Sequence, residues 1–249
     1  MWINPFYWPN ASEFGSPAEF DFFGQDRIVG GSFQQISTRP FQVAIFPGDT
    51  LCGGSILNEF WMVTAAHCTD GLTKDDIEFA YGIQDISKIT KYLPISRLEQ
   101  HKSWNTKTKD SDISLIKAVD KIIFTPSVRP ISIDLSIPPD GATVTASGYG
   151  DVEENGEASE ALKSVDLVIQ SFDTCNAKYG KTLTNNMICA IAPAGVVGDT
   201  CQGDSGGPLT YNGKLIGVVS AGAGCAGGVA GFYVKIANYI KWINDIIVQ

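Results

Sequence analysis

Gly203-Asp204-Ser205-Gly206-Gly207-Pro208 is the stretch from which the other motifs of the 249-residue chain are best read. A serine hydroxyl is a poor nucleophile at neutral pH. It needs a base to take its proton and donors to hold the oxyanion that forms. The glycines on both sides of Ser205 let backbone N–H groups approach a reacting carbonyl with no Cβ in the way. The same string would also serve as a plain tight turn, so its meaning depends on partners elsewhere in the chain.

The base must come from the two histidines. His67 lies in Thr64-Ala65-Ala66-His67-Cys68, just after a strand pattern and beside a cysteine. His101 lies in the polar run Glu99-Gln100-His101-Lys102 and reads as structural or solvated. A catalytic histidine needs an acid that fixes its tautomer and stabilises the imidazolium. Asp112, in Ser111-Asp112-Ile113-Ser114-Leu115-Ile116, opens an apolar strand and suits that role as well as that of a strand-edge turn.

The segments Ile28-Val29-Gly30-Gly31, Thr64 to Cys68, Asp112 to Ile116 and Gly203 to Leu209 occur in this order. Together they resemble the chymotrypsin-like serine proteases, over about 222 residues from Ile28 to Gln249. The resemblance implies an all-β fold of two packed antiparallel β-barrels with a C-terminal α-helix. It divides the chain into an activation segment at 1–27, an N-terminal barrel at 28–134 and a C-terminal barrel with the helix at 135–249, the last two forming one peptidase domain. It makes Ser205 the nucleophile, His67 the base and Asp112 its orienting acid, with the N–H groups of Gly203 and Ser205 as the oxyanion hole. Ser220 and Gly222 match the segment that pairs with the substrate backbone as an added strand, and Gln202 falls among the substrate-binding positions. The cysteine positions imply the pairs Cys52–Cys68, Cys175–Cys189 and Cys201–Cys225, a choice that spacing alone leaves open among fifteen pairings.

Asp199 precedes Ser205 by six residues. In trypsin-like members the aspartate at that place faces a substrate Arg or Lys, and Gly222 and Gly231 match the glycines that keep the pocket open. Arg27-Ile28 then reads as an activation site: cleavage there frees an α-ammonium that buries itself against Asp204. With residues 1–27 attached, the chain is expected to be a precursor, and Arg27 itself suits the expected specificity. Departures from the family pattern stand beside these matches. Ala221 replaces a tryptophan that walls the cleft, Thr200 replaces a smaller residue beside Asp199, and Thr50 replaces a histidine that holds the precursor form. The loop from Cys225 to Gly231 is one residue short, and Ile83 after Gly82 lacks the glutamate that opens the calcium loop of vertebrate members. Two other readings follow from these departures: a weakly active or inactive member acting as a binding or regulatory protein, and a protease of broader or chymotrypsin-like preference.

Composition is that of a globular chain. Hydrophobic residues make up 44% and charged residues 18% of the chain, a balance unlike that of disordered segments. The net charge of −9 disfavours nucleic acids and anionic membranes as partners and favours cationic substrates. Six dispersed cysteines without a C-x-x-C pair, and only two histidines, point to disulfides in an oxidising compartment and away from a metal site. The acyl-transfer chemistry needs no cofactor. Protein or peptide substrates and proteinaceous inhibitors are the expected partners, and a secreted monomer is the expected state. Met1 to Asn10 has neither the basic start nor the apolar core of a signal peptide. Residues 1–27 hold eight aromatics and three prolines with no clear period, and read as an irregular leader.

Short apolar or alternating runs at Phe41–Phe46, Gly54–Leu57, Trp61–Thr64, Ile77–Tyr81, Ile113–Lys117, Thr143–Ser147, Val165–Ile169, Leu215–Ser220 and Gly231–Lys235, separated by turn residues, read as strands. Ile236, Ile240, Ile243 and Ile247 recur at helical spacing, which predicts an amphipathic C-terminal helix.

Overall fold

The computed structural model describes residues 31–151, 153, 156–225 and 227–248. Strands β2 (Gln42–Pro47), β3 (Cys52–Ile56), β4 (Trp61–Thr64), β5 (Ile77–Tyr81), β6 (Leu93–Gln100) and β7 (Ser114–Ala118) close into an antiparallel barrel in the order β2-β3-β4-β7-β6-β5. A second barrel is built from β8 (Thr143–Gly148), β9 (Lys163–Gln170), β10 (Met187–Ile191), β11 (Pro208–Tyr211), β12 (Lys214–Ala221) and β13 (Gly231–Lys235). Its order is β9-β10-β13-β12-β11-β8, closed by pairing of β8 with β9. A two-residue strand, β1 (Ser32–Phe33), adds to β9 and ties the start of the described chain to the second barrel. Helix α1 (Phe172–Lys178) lies between β9 and β10, and α2 (Ile240–Ile247) ends the chain.

β-branched and aromatic side chains drive both barrels, because a pleated, inward-facing surface packs them well. Val43, Ile45, Trp61, Val63, Phe79 and Leu115 fill the first; Val144, Val165, Leu167, Leu209 and Val219 fill the second. The C-terminal segment does not pack on its own barrel alone. Ile236, Tyr239, Ile243 and Ile246 join the same apolar cluster as the first barrel's core, so the last element straps the two halves together. The first turn of this segment, Ile236–Tyr239, is a 3-10 helix and α2 begins only at Ile240. That change of pitch moves the buried stripe: Ile246 is buried, where the regular spacing pointed to Ile247.

Three disulfides, Cys52–Cys68, Cys175–Cys189 and Cys201–Cys225, close loops with sequence separations of 16, 14 and 24. Loops of this size restrict the unfolded chain by about 3 kcal/mol each in the chain-entropy model. The first staples β3 to the residue after His67, and the third joins the residues before Ser205 to those after β12.

The barrels meet at glycines. Gly53 donates to the Ser205 carbonyl at 2.7 Å, and a Cβ on Gly53 would fall 2.7 Å from the Gly207 Cα. Gly206 has φ +81, and a Cβ there would overlap Thr64 Oγ1. Only bare backbone lets the two sheets approach so closely, and Ser205 sits at that approach.

Candidate active site

Asp112 is fully buried, two residues before β7 begins at Ser114. One carboxylate oxygen accepts from the His67 backbone N–H at 2.7 Å, and the other meets His67 Nδ1 at 2.7 Å. With the proton on Nδ1, Nε2 is left as the basic nitrogen. The second oxygen also accepts from Ser220 Oγ at 2.5 Å. Ser220 reaches across from the second barrel because β12 carries a bulge there: Val219 opposes Tyr233 and Ala221 opposes Phe232. A bulge re-aims the extra residue's side chain. Sequence reading gave Ser220 a substrate-strand role only; its bond to Asp112 had no signal in the sequence.

Ser205 follows Gly203 (φ +89) and precedes Gly206. Its carbonyl oxygen lies 3.6 Å from Cys68 Sγ, and His67 Nε2 lies 3.8 Å from the same sulfur. Ser205 and His67 therefore share one neighbourhood at the barrel junction. Cys52, His67 and Cys68 place a nitrogen and two sulfurs within 4.8 Å of one another. Both sulfurs are spent in a disulfide, so this set offers a metal no thiolate.

Asp204 is fully buried. Its oxygens accept from the backbone N–H groups of Gly150 at 2.9 Å and Cys201 at 3.0 Å. Complete burial lifts its pKa from 3.8 to about 7, against the pull of those two bonds, with Asp151 and Asp199 adding to the rise. The space around this carboxylate exists because residue 150 is glycine: a Cβ there would come within 2.5 Å of Asp204 Cγ. Arg27 and Ile28 lie outside the described residues.

A cavity of about 210 Å³ opens beside Ser205, lined among others by Thr200, Gln202, Ser220, Ala221 and Gly222. Asp199 and Gly231 do not line that volume directly. Asp199 is 6% exposed and its Oδ1 accepts from the Thr200 N–H at 2.8 Å. A Cβ on Gly231 would lie 3.6 Å from that same oxygen, and a Cβ on Gly222 would lie 3.5 Å from the Gly231 Cα. Gly231 thus sits between Asp199 and Gly222, which itself lines the cavity. Tyr233, which sequence reading did not single out, completes this corner: its hydroxyl lies 3.3 Å from Thr200 Oγ1. A tyrosine in an otherwise apolar strand was the available signal, since a buried phenol needs a polar partner. Burial, with Asp199 adding, holds its pKa above the ordinary value. Ala221 packs with the cluster around Cys175, Leu183 and Phe232 while also bordering the cavity.

His101 stands apart from this site. Its ring makes edge contacts with Tyr239 and Trp242 at 5.1 and 4.9 Å, and burial lowers its pKa against the opposing pull of Asp110.

The family model for Trypsin matches residues 28–243. This chain belongs to the trypsin family of serine proteases. Human "Serine protease 1" is 36% identical over 231 residues, covering 91% of this chain and 92% of that protein. "Trypsin-1" of Salmo salar is 37% identical over 225 residues, 88% of this chain and 90% of its own length. "Cationic trypsin-3" of Rattus norvegicus is 36% identical over 227 residues, with 89% and 90% covered. This trypsin-family protein is a serine endopeptidase with the two-barrel, disulfide-bonded body expected from its motifs. The new information lies in how its own residues are arranged around that junction.

Proposed function

We propose that the protein is a secreted, monomeric precursor of a trypsin-like endopeptidase that cleaves proteins after Arg and Lys. Its divisions are residues 1–27 as activation segment and the barrels at 28–134 and 135–249. The observation that carries the reading is the Asp112 carboxylate, shared between His67 and Ser220 in a fully buried position. In the mechanism of the family, His67 Nε2 takes the Ser205 proton as Oγ attacks the scissile carbonyl. Asp112 holds the tautomer and stabilises the imidazolium, which then protonates the leaving amine; water repeats the sequence on the acyl-enzyme. The N–H groups of Gly203 and Ser205 take the oxyanion. Asp199, next to Thr200 and against Gly231, supplies the negative charge for a substrate cation. Gln202 borders the entrance. Proteinaceous inhibitors would enter by the same cleft.

Hydrolysis of matched peptides ending in Arg, Lys, Phe or Leu, before and after limited cleavage at Arg27, tests this reading. Activity that arises only after cleavage, and on Arg and Lys, is the expected result. Activity on Phe or Leu instead removes the role of Asp199. No activity after verified cleavage favours a binding protein, a reading supported by Ala221, whose small side chain leaves the cavity without an aromatic wall.

Activation has its own pH signature. Asp204 is fully buried with a pKa raised to about 7. Its folded-state value lies above its unfolded value, so its favourable contribution is full below about pH 4 and is lost as pH rises through 7. The span from 3.8 to about 7 corresponds to about 4 kcal/mol of stability. Cleavage supplies the Ile28 α-ammonium, which pairs with the ionised carboxylate and removes this loss. Thermal unfolding of the Ser205→Ala chain, uncut and cut, should therefore diverge as pH rises from about 4 to 7, the cut form gaining. Parallel curves for the two forms would rule out an Ile28–Asp204 pair.

A further inference from the structure

The residues just before Asp112 do something that triad chemistry does not require. Lys109 and Ser111 have φ +58 and +57, left-handed values that neither side chain favours and that persist only when surrounding contacts hold them. They flank Asp110. The side chains of this loop reach the second half of the molecule. Asp110 Oδ1 accepts from Thr184 Oγ1 at 2.5 Å and from Asn186 Nδ2 at 3.0 Å, both in the turn that leads into β10. Ser111 Oγ, buried, accepts from the Tyr239 hydroxyl at 3.2 Å. Asp112 accepts from Ser220. Three consecutive residues of the first barrel's loop are thus each bonded to a different segment of the C-terminal half.

The receiving side is itself braced. Asn186 Oδ1 accepts from Asn238 Nδ2 at 2.9 Å, and its carbonyl accepts from the Lys235 N–H at 2.8 Å. Asp110 therefore grips a fixed point, continuous with β13 and the C-terminal 3-10 turn. On the giving side, Asn105 Oδ1 accepts from the N–H groups of Lys107 and Thr108, and the Asn105 carbonyl accepts from Lys109. The loop is folded on itself before it reaches across.

We propose that Asp110 is a positioning residue: its bonds to Thr184 and Asn186 form a clasp between the barrels that sets the place of the Asp112–His67 pair relative to Ser205. The inference rests on the triad reading given above. His67 and Asp112 ride on the first barrel and Ser205 on the second, so any sliding of one barrel on the other changes the distance a proton must travel. Proton transfer depends steeply on such a distance. The Ser220 bond lies at a bulge and leaves rotation free; the Asp110 bonds add two further points of attachment to those of Ser111 with Tyr239 and Gly53 with Ser205. The clasp works through its acceptor oxygen and not through charge, because both donors are neutral side chains.

Five variants of the chain, cut after Arg27, test this. Asp110→Ala should lower kcat about tenfold with KM within twofold, since the substrate cavity is untouched. Asp110→Asn removes the charge but keeps an acceptor oxygen for both donors, and should restore kcat to within threefold of the parent. Thr184→Val should fall between them, and Asp110→Ala combined with Thr184→Val should be no slower than Asp110→Ala alone. A kcat for Asp110→Ala within twofold of the parent overturns the proposal, and so does an Asp110→Asn variant as slow as Asp110→Ala. Thr184→Val, a milder change, carries the test if Asp110→Ala does not fold, and unaltered kcat there overturns it equally. Asp112→Ala separates the two readings. If it keeps full activity, the triad fails; if it loses activity while Asp110→Ala keeps it, only the clasp fails.

Discussion

Replacing Ser205 by alanine in the chain cut after Arg27 is expected to lower kcat on an Arg-terminated peptide by on the order of 10⁶, and adding His67→Ala should remove almost nothing more. The loss corresponds to about 8 kcal/mol of transition-state stabilisation. The non-additivity is the informative part. A base with no hydroxyl to deprotonate contributes nothing, so the two side chains act as a unit. What remains is the stabilisation given by the Gly203 and Ser205 N–H groups and by substrate held in the cleft. The geometry makes the experiment clean. His67 is held through its backbone N–H and Nδ1 by Asp112, so the loss of Ser205 Oγ leaves it in place. The contact at the barrel junction uses the Ser205 carbonyl, which receives the Gly53 N–H and is unchanged by the substitution. A double variant slower than Ser205→Ala by a further factor of about 10³ would mean that His67 acts independently of Ser205, for instance by activating water directly. That result would overturn the triad reading while leaving the family and fold intact.

The elements that could be read from sequence were those whose burial pattern is a local property. β4, β5 and β13 have the bounds that their apolar runs predict, and β2, β3, β7, β8, β9 and β12 differ from their runs by one or two residues at one or both ends. β6 was not readable: Leu93–Gln100 contains Pro94 and exposed or half-exposed residues through most of its length, so it lacks alternation. β10 is a short buried run, Met187–Ile191, hidden between polar turns. β11 begins at Pro208, inside the motif that drew attention as a nucleophile loop. β1 is only two residues, and nothing in Ser32–Phe33 signals its pairing with β9. Helix α1 is seven residues with a single buried side chain, Cys175, too short to show a period. The site divides in the same way. Motifs named His67, Asp112 and Ser205 because each lies in a recognisable local string. Ser220's bond to Asp112, Tyr233's to Thr200 and Asp110's to Thr184 were invisible because each joins residues from distant strands or loops. Such contacts depend on a bulge, a β register or a barrel packing that no local window contains.

Asp199→Ser should reduce kcat/KM on Arg- and Lys-terminated peptides by about 10⁴, with Phe- and Leu-terminated peptides changed little or improved. A site built to receive a cation and then deprived of its carboxylate leaves the substrate charge desolvated, a penalty of the size seen when a buried polar partner is missing. Asp199 is 6% exposed, and among the polar groups near it are the Thr200 and Tyr233 hydroxyls, 3.3 Å apart. Neither carries charge at neutral pH, the Tyr233 phenol being held protonated by burial. The chain's net charge of −9 offers a rival explanation for any preference for cations, since it raises the local concentration of positive peptides everywhere on the surface. Salt separates the two. Surface attraction is screened beyond about 8 Å at 0.15 M ionic strength, whereas a buried contact is screened far less. An Arg preference that persists in 0.5 M salt and disappears with Asp199→Ser belongs to the pocket. One that fades with salt and survives Asp199→Ser by more than a tenth belongs to the surface, and then the cavity beside Ser205 selects by shape, with Thr200 and Ala221 as the residues that set it.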